Sequence, residues 1–136
     1  MEEQEFWIEV LKIAQSKYRC ASEVSRITQE IAEALSRDDR VSTQMLLGMR
    51  QEEMDKWEKS LKDMEVLERA YPPELQNRLQ NLLKTRTAKE PCTPEEIRIA
   101  ELLTNTHTVI GKAIEIDKHL NTKIAGKDSY YSESQT

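Results

Sequence analysis

Turn-forming and aromatic residues are scarce in this chain of 136 residues. It has three glycines, four prolines and one phenylalanine, and aromatic residues make up only 5% of it. A protein of many short strands needs frequent turns, and strands are enriched in aromatic residues. The composition therefore argues against β-rich architectures and favours long helices.

Long apolar runs are also lacking. No segment approaches the roughly 18 consecutive apolar residues that a membrane-spanning helix needs. The first residues, MEEQEF, are acidic, and no apolar core of a signal peptide follows them. Two cysteines, Cys20 and Cys92, are far apart in the sequence and favour two thiols over a disulfide. We therefore expect a cytoplasmic protein that does not insert into membranes.

Residue patterns typical of catalysis are missing as well. A di-metal helical enzyme needs Glu-x-x-His pairs, but Thr104 and Ile116 stand three residues before His107 and His119. The sequence has no glycine-rich phosphate loop and no strand-to-helix turn around a nucleophilic serine. We predict no catalytic residue, no cofactor and no metal site, and expect that the protein is not an enzyme.

The balance of charge is acidic. One third of the residues are charged, 33%, and the net charge is −5. Phosphate backbones are repelled by such a surface, because nucleic-acid affinity comes mainly from lysine and arginine contacts. We therefore expect no nucleic-acid partner, and look for function in contacts with other proteins.

Apolar periodicity predicts four helical segments, at residues 3–36, 40–70, 73–84 and 94–125. In the first segment an alternating spacing of four and three residues marks an inner face of the coiled-coil kind. Its nine positions are Phe6, Val10, Ile13, Lys17, Cys20, Val24, Ile27, Ile31 and Ala34. The last segment has a similar inner face, consisting of Ile99, Leu103, Thr106, Ile110, Ala113, Asp117, Leu120 and Ile124.

The second segment is rich in methionine. Its inner face is predicted to consist of Leu47, Arg50, Met54, Trp57, Leu61 and Met64. Met54 and Met64 are interpreted as core residues. Met45 and Met49 form an offset stripe, and two interpretations stay open for them: filling of the core, or an adaptable binding surface.

Start and stop residues support these boundaries. Thr93, Pro94 and Glu96 form a capping-box pattern that begins the last helix, and Gly126 is expected to end it. The sequence therefore predicts an all-α fold: one domain, residues 1–126, built as an elongated antiparallel bundle or coiled coil of three long helices and one short helix. Residues 127–136 are expected to form a mobile polar tail.

The last helix has a second apolar stripe, with Leu102, Val109 and Ile116 at seven-residue spacing. Three explanations are open for this surplus. The short leucine-containing helix covers it, a partner helix lies along it, or a second copy of the chain pairs with it to form a homodimer.

The carboxylate of Asp117 is unexpected on an inner face, because an unpaired buried charge costs several kcal/mol. Asp117 lies at a solvated end of the bundle, pairs with Lys17 of the first helix, or fixes the register of the last helix. The sequence does not choose among these.

Two stretches resemble flagellar type III export chaperones of the FlgN and FliT kind. The segment IAEALSRDDRVSTQMLLGMRQEEMDKWEKSLKDME is similar to the first helical hairpin of that family, and VIGKAIEIDKHLNTKI is similar to its closing helix. The matching positions are Leu35, Asp38 or Asp39, Leu46, Leu47, Arg50 and Gln51 in the hairpin, and Ile116, Asp117, His119 and Asn121 in the closing helix. The turn departs from the family in having no glycine before Asp38, and His119 and Leu120 replace the usual acid and amide.

The resemblance implies a cytoplasmic chaperone for flagellum biogenesis. Such a chaperone binds the C-terminal helical segment of a hook-filament junction or filament-cap protein and delivers it to a component of the export gate. The family's C-terminal part binds the client, which implies roles for Leu102, Val109, Ile116 and Ile124.

The aromatic pair Tyr130 and Tyr131 in the polar tail is either a docking site for the partner or an unselected sequence. Together with Met45 and Met49, these residues complete the predicted partner-binding set. A function of another class also stays open: a structural coiled-coil adaptor or self-assembling helical protein.

Overall fold

The computed structural model describes the backbone of residues 2–135 and the side chains of residues 2–121. It has four helices: α1 (Glu2–Ser36), α2 (Arg40–Arg69), α3 (Pro73–Thr85) and α4 (Pro94–Gln135). No strand occurs within residues 2–135. The predicted all-α helical bundle is confirmed. At a rise of about 1.5 Å per residue, α1 is roughly 50 Å long.

The first helix is the centre of the bundle, because α1 packs along both α2 and α4. Seven of its nine predicted inner residues are buried, while Ile13 and Lys17 are half-buried. A second buried row, with Trp7, Ala14 and Ala21, widens this face. An apolar face of ordinary width contacts one neighbouring helix, so the second buried row allows α1 to contact two helices.

Two apolar clusters fix the directions of the long helices. The first, named the α3 core, joins Phe6 and Val10 of α1 to Ile99 of α4 and to leucines of α3. The second, named the hairpin core, joins Ile27 and Ile31 of α1 to Leu46 and Leu120. The start of α4 therefore lies beside the start of α1, so that these two helices are parallel and α2 is antiparallel to both.

The turn between α1 and α2 depends on two adjacent aspartates. Asp38 has a φ of 55°, a left-handed conformation that ends α1. Asp39 is the N-cap of α2, and its carboxylate accepts hydrogen bonds from the backbone N–H of Ser42 at 3.0 Å and from the Ser42 hydroxyl at 2.7 Å. These hydrogen bonds begin α2 directly after the turn.

The other end of the bundle is held by the capping box of α4 and by α3. The Glu96 N–H donates to Thr93 Oγ1 at 3.2 Å, and the Thr93 N–H donates to Glu96 Oε1 at 3.1 Å, as predicted. Arg78 of α3 forms ion pairs with Glu96 and with Glu3 of α1. The short helix thereby connects the first turns of α1 and α4.

The predicted inner face of α2 was right at three positions and wrong by one residue at the other three. Met64 is buried and Arg50 and Trp57 are half-buried. Thr43, Leu46, Ser60 and Met64 are the buried positions of α2. Leu47, Met54 and Leu61, which were predicted to be inside, are exposed. The buried row contains threonine and serine, whereas the adjacent exposed row carries the larger apolar side chains, so hydrophobicity alone favoured the wrong row.

The predicted inner face of α4 is confirmed as far as Leu120: its residues are buried except for Ile110 and Asp117, which are half-buried. The predicted end of the helix was wrong. The helix continues through Gly126 to Gln135, instead of ending near residue 125. The predicted mobility of residues 127–136 stays a prediction.

Candidate functional site

The two outer helices of the bundle, α2 and α4, are held together by side chains. Within the described residues the backbones of α2 and α4 scarcely approach each other, whereas each of these helices packs closely on α1. The contact between them that carries charge is the ion pair of Arg50 and Asp117, at 2.8 Å. Direct contact between α2 and α4 therefore depends on their side chains.

The Arg50 guanidinium links all three long helices. Its Nη1 donates to Asp117 Oδ1 of α4 at 2.8 Å and to Thr28 Oγ1 of α1 at 3.1 Å. The Arg50 side chain is only 18% exposed and that of Asp117 is 42% exposed. Thr28 itself is fully buried. This arrangement gives the guanidinium two acceptors, and it gives the buried Thr28 hydroxyl oxygen a donor.

The acid on the inner face of α4 can now be explained. Of the three interpretations left open for Asp117, the pairing with Lys17 is excluded, since Asp117 pairs with Arg50 instead. Its partial exposure agrees with the interpretation that it is solvated. The contact of its partner with Thr28 also ties α4 to one position along α2 and α1, which is the arrangement expected of a register-fixing group.

Lys17 contacts an aromatic ring and not the carboxylate of Asp117. Its Nζ lies 5.0 Å from the centroid of the Trp57 ring, in cation–π geometry. Burial lowers the pKa of Lys17 below its ordinary value of 10.5. Within residues 2–121 Lys17 forms no ion pair. A half-buried ammonium group is thus left without a carboxylate.

Three apolar side chains of α2 lie beside this region. Leu47, Met54 and Leu61 are 42%, 44% and 42% exposed and are spaced seven residues apart. Each lies three or four residues from Arg50 or Trp57, and residues at these spacings are neighbours on a helix surface. Because Arg50 contacts α4, the three side chains flank the side of α2 that faces α4.

The facing side of α4 is also partly apolar. Ile114, which is 48% exposed, lies four residues after Ile110 and three before Asp117. His107 is exposed and lies three residues before Ile110. We name the opening between these rows the α2–α4 groove, and define it by Leu47, Met54 and Leu61 of α2 and His107, Ile110 and Ile114 of α4.

A cavity of about 260 Å³ lies at the end of the α2–α4 groove that is nearest to α3. We name it the α3-end cavity. Apolar side chains and basic side chains line it together, and no acidic residue does. The lining residues are Lys17, Trp57, Leu83, Arg86, Leu103, Thr106, His107 and Ile110.

The C-terminus of α3 positions one of the basic residues. Arg86 has a φ of 56°, and its N–H donates to the Leu82 carbonyl at 2.8 Å, which ends α3. Neither Arg86 nor His107 forms an ion pair within the part of the chain whose side chains are described. The α3-end cavity therefore combines an apolar surface with three groups suited to a carboxylate.

The predicted stripe on α4 is not a free surface. Leu102 is only 3% exposed and belongs to the α3 core, so its assignment to partner binding was wrong. Ile116 is half-buried against the hairpin core, and Val109 is half-buried as well. For Leu102, the explanation that the short leucine helix covers the stripe agrees with the structure.

Of the other predicted contact residues, Met45 and Met49 are exposed. They lie four residues apart, in a row with Val41, on a different face of α2 from Leu47 and Met54. Their role in partner binding stays a prediction. The side chains of Ile124, Tyr130 and Tyr131 lie outside the described residues.

Among the described residues, no group of three or more histidine, cysteine, aspartate or glutamate side chains could hold a metal ion. Burial raises the pKa of the Cys20 thiol, and the Glu53 carboxylate adds to this effect. A thiol with a raised pKa is a poor nucleophile.

Comparisons with known proteins give no relative. No family model matches this chain, and neither the curated proteins nor the solved structures contain a match. None of the helices, over the residues that the structure describes, has a stretch both long and apolar enough to cross a membrane.

Sequence reasoning missed the α2–α4 groove because it placed Leu47, Met54 and Leu61 inside the bundle. One indication was present. The predicted inner row already included Arg50 among its apolar residues. A second row, in which Arg50 lies beside small polar residues, has an equally regular helical spacing. Charge on both α2 and α4, at Arg50 and Asp117, would have suggested the pair.

Proposed function

We propose that this protein is a non-catalytic helix-binding chaperone, and that the α2–α4 groove is where it holds an amphipathic helix of its client. The observation that carries the proposal is the row of Leu47, Met54 and Leu61, spaced at seven residues beside the opening between two helices. Surplus apolar side chains at coiled-coil spacing are what an additional helix would cover.

The size of the groove suits one helix. Leu47 and Leu61 are fourteen residues apart along α2, which corresponds to about 21 Å at 1.5 Å per residue. A client helix of about four turns spans that distance. It would complete a four-helix arrangement, in which the client packs between α2 and α4 with α1 beneath.

The resemblance to flagellar export chaperones supports a more specific proposal. Two of its matching positions, Arg50 in the first hairpin and Asp117 in the closing helix, form the ion pair that connects α2 to α4. We propose that the protein acts in the cytoplasm and holds the C-terminal helical segment of a hook-filament junction or filament-cap protein until it reaches the export gate.

The test is titration calorimetry with synthetic C-terminal segments of the junction and cap proteins from the same organism. One segment is expected to bind, and Met54→Glu is expected to weaken binding at least about tenfold, because it places a charge in an apolar contact. The control is Val66→Glu, since Val66 is 68% exposed and lies outside the groove.

Equal effects of the two variants would contradict the groove as the binding site, and absence of binding by every segment would contradict the flagellar assignment. A coiled-coil adaptor is the competing function. It predicts that the chain alone sediments as a stable higher oligomer that Met54→Glu dissociates.

A further inference from the structure

The α3-end cavity differs from the rest of the α2–α4 groove in its charge. Lys17, Arg86 and His107 contribute basic groups to it, and no acidic side chain lines it. This is unusual in a chain whose net charge is −5. Some basic side chains elsewhere on the bundle have carboxylate partners, as Arg26 has in Glu23 and Glu30.

The three basic residues come from three different elements. Lys17 belongs to α1, Arg86 follows the end of α3, and His107 belongs to α4. Their convergence depends on the packing of the whole bundle, and not on a charged run in the sequence. Lys17 is held over the Trp57 ring, with its Nζ 5.0 Å from the ring centroid.

We propose that the client helix carries a side-chain carboxylate in one end turn, and that Lys17, Arg86 and His107 receive this carboxylate in the α3-end cavity. This inference rests on the proposed function of the groove. The apolar rows of the groove give affinity for any amphipathic helix. The carboxylate gives one orientation, because the α3 end of the groove brings three basic side chains to one apolar cavity.

The partner is therefore an amphipathic helix with two features. Its apolar residues recur at seven-residue spacing, to match Leu47, Met54 and Leu61. An aspartate or glutamate lies on the same side, in the end turn that meets the α3-end cavity. A charge-assisted hydrogen bond between a carboxylate and a guanidinium is roughly twice as strong as one between neutral groups.

The experiment uses three synthetic peptides of about 21 residues, acetylated and amidated at their ends. All have leucines at seven-residue spacing and glutamines beside them; one has no acid, one has glutamate in the first turn and one has glutamate in the last turn. Each is titrated into the full chain, and binding is followed by calorimetry and by tryptophan fluorescence.

One of the two glutamate peptides is expected to bind about five- to tenfold more tightly than the peptide without acid, and the other to bind like it. Lys17→Met with Arg86→Gln is expected to remove this gain while leaving affinity for the peptide without acid unchanged. The control is Lys12→Met with Arg98→Gln, which changes the net charge equally at exposed sites. If the first double variant unfolds, Arg86→Gln and His107→Gln are used singly.

Several results would overturn the inference. If all three peptides bind equally, the α2–α4 groove is still a helix-binding site, but the carboxylate site does not exist. If both glutamate peptides gain equally, or the control variant also removes the gain, the attraction is diffuse. The peptide without acid can also be made with a free C-terminal carboxylate. If it then binds as tightly as the favoured glutamate peptide, the ligand is a main-chain carboxylate and not a side chain.

Two further results would remove the groove itself. Absence of binding by every peptide at about 1 mM contradicts the proposed function together with this inference. A dimer of the wild-type chain that Met54→Glu dissociates would place a second copy in the groove and exclude the helical client.

Discussion

Replacing Asp117 by asparagine and Arg50 by glutamine, singly and together, is expected to reveal a coupling free energy of about 1 kcal/mol. The pair connects two helices whose backbones scarcely meet, so its loss acts directly on the contact between α2 and α4. Asp117→Asn is expected to cost more than Arg50→Gln. It leaves the largely buried guanidinium with only Thr28, whereas Asp117 alone can turn towards water.

The magnitude follows from the burial of the two groups. Exposed ion pairs contribute about 0.2–1 kcal/mol. Removing one partner of a fully buried pair costs about 3–5 kcal/mol. With the guanidinium 18% exposed and the carboxylate 42% exposed, the pair lies between these limits. We expect about 2 kcal/mol for Asp117→Asn and about 1 kcal/mol for Arg50→Gln.

Urea denaturation followed by circular dichroism gives the four free energies of unfolding that the cycle requires. The matched control is the cycle of Arg26 and Glu30, an exposed pair within α1 at 2.9 Å, for which about 0.3 kcal/mol is expected. A coupling near zero between Arg50 and Asp117 would refute the reasoning. It would mean that the packing of each helix on α1 alone holds α2 and α4 in place.

Three other predictions concern single residues. Asp38→Gly is expected to raise the free energy of unfolding by about 0.5 kcal/mol, because glycine adopts a φ of 55° without strain; an unchanged or lowered denaturation midpoint would contradict this. Because burial lowers the pKa of Lys17, the unfolded state binds more protons than the folded state between the lowered pKa and 10.5, so stability rises with pH in that window. In thermal melts, the stability of Lys17→Met relative to wild type is therefore expected to fall as the pH rises towards 10.5. A difference in stability that does not change with pH would refute the lowered pKa of Lys17. Cys92, which is half-exposed, is expected to react with a thiol reagent much faster than buried Cys20, and equal rates in the native protein would contradict the packing of α1.

The sequence predicted two of the long helices well, since their inner residues are also their most apolar residues. Ile27 and Ile31 of α1, and Ile99 and Leu103 of α4, lie where their periodicity indicates. For these helices the hydrophobic effect is nearly the only term that decides orientation, so the pattern is sufficient.

The second helix shows why the rest could not be predicted. Its buried positions include Thr43 and Ser60, which are small enough to allow close packing. The half-buried Arg50 on the same face donates hydrogen bonds to residues of two other helices. Those partners are far away in the sequence. A helix that keeps larger apolar residues such as Met54 on its exposed side breaks the usual rule, and departures of this kind are expected at functional sites.

The candidate site was missed for a related reason. Lys17, Arg86 and His107 belong to separate segments, and nothing in their local sequence shows that they meet. Leu102 was assigned to partner binding because the sequence does not show that α3 covers it. That coverage depends on the path of the chain after α2. That path is set by tertiary packing, which periodicity along one helix does not report.

The parallel placement of α1 and α4 also determines the order in which the chain can fold on the ribosome. The hairpin of α1 and α2 can form as soon as residues 2–69 have emerged, since its contacts are between adjacent segments. Ile27 and Ile31 gain their contact with Leu120 only after the later part of α4 has been synthesised. Until then the nascent hairpin exposes an uncovered apolar strip to solvent, to which a general holding chaperone can bind.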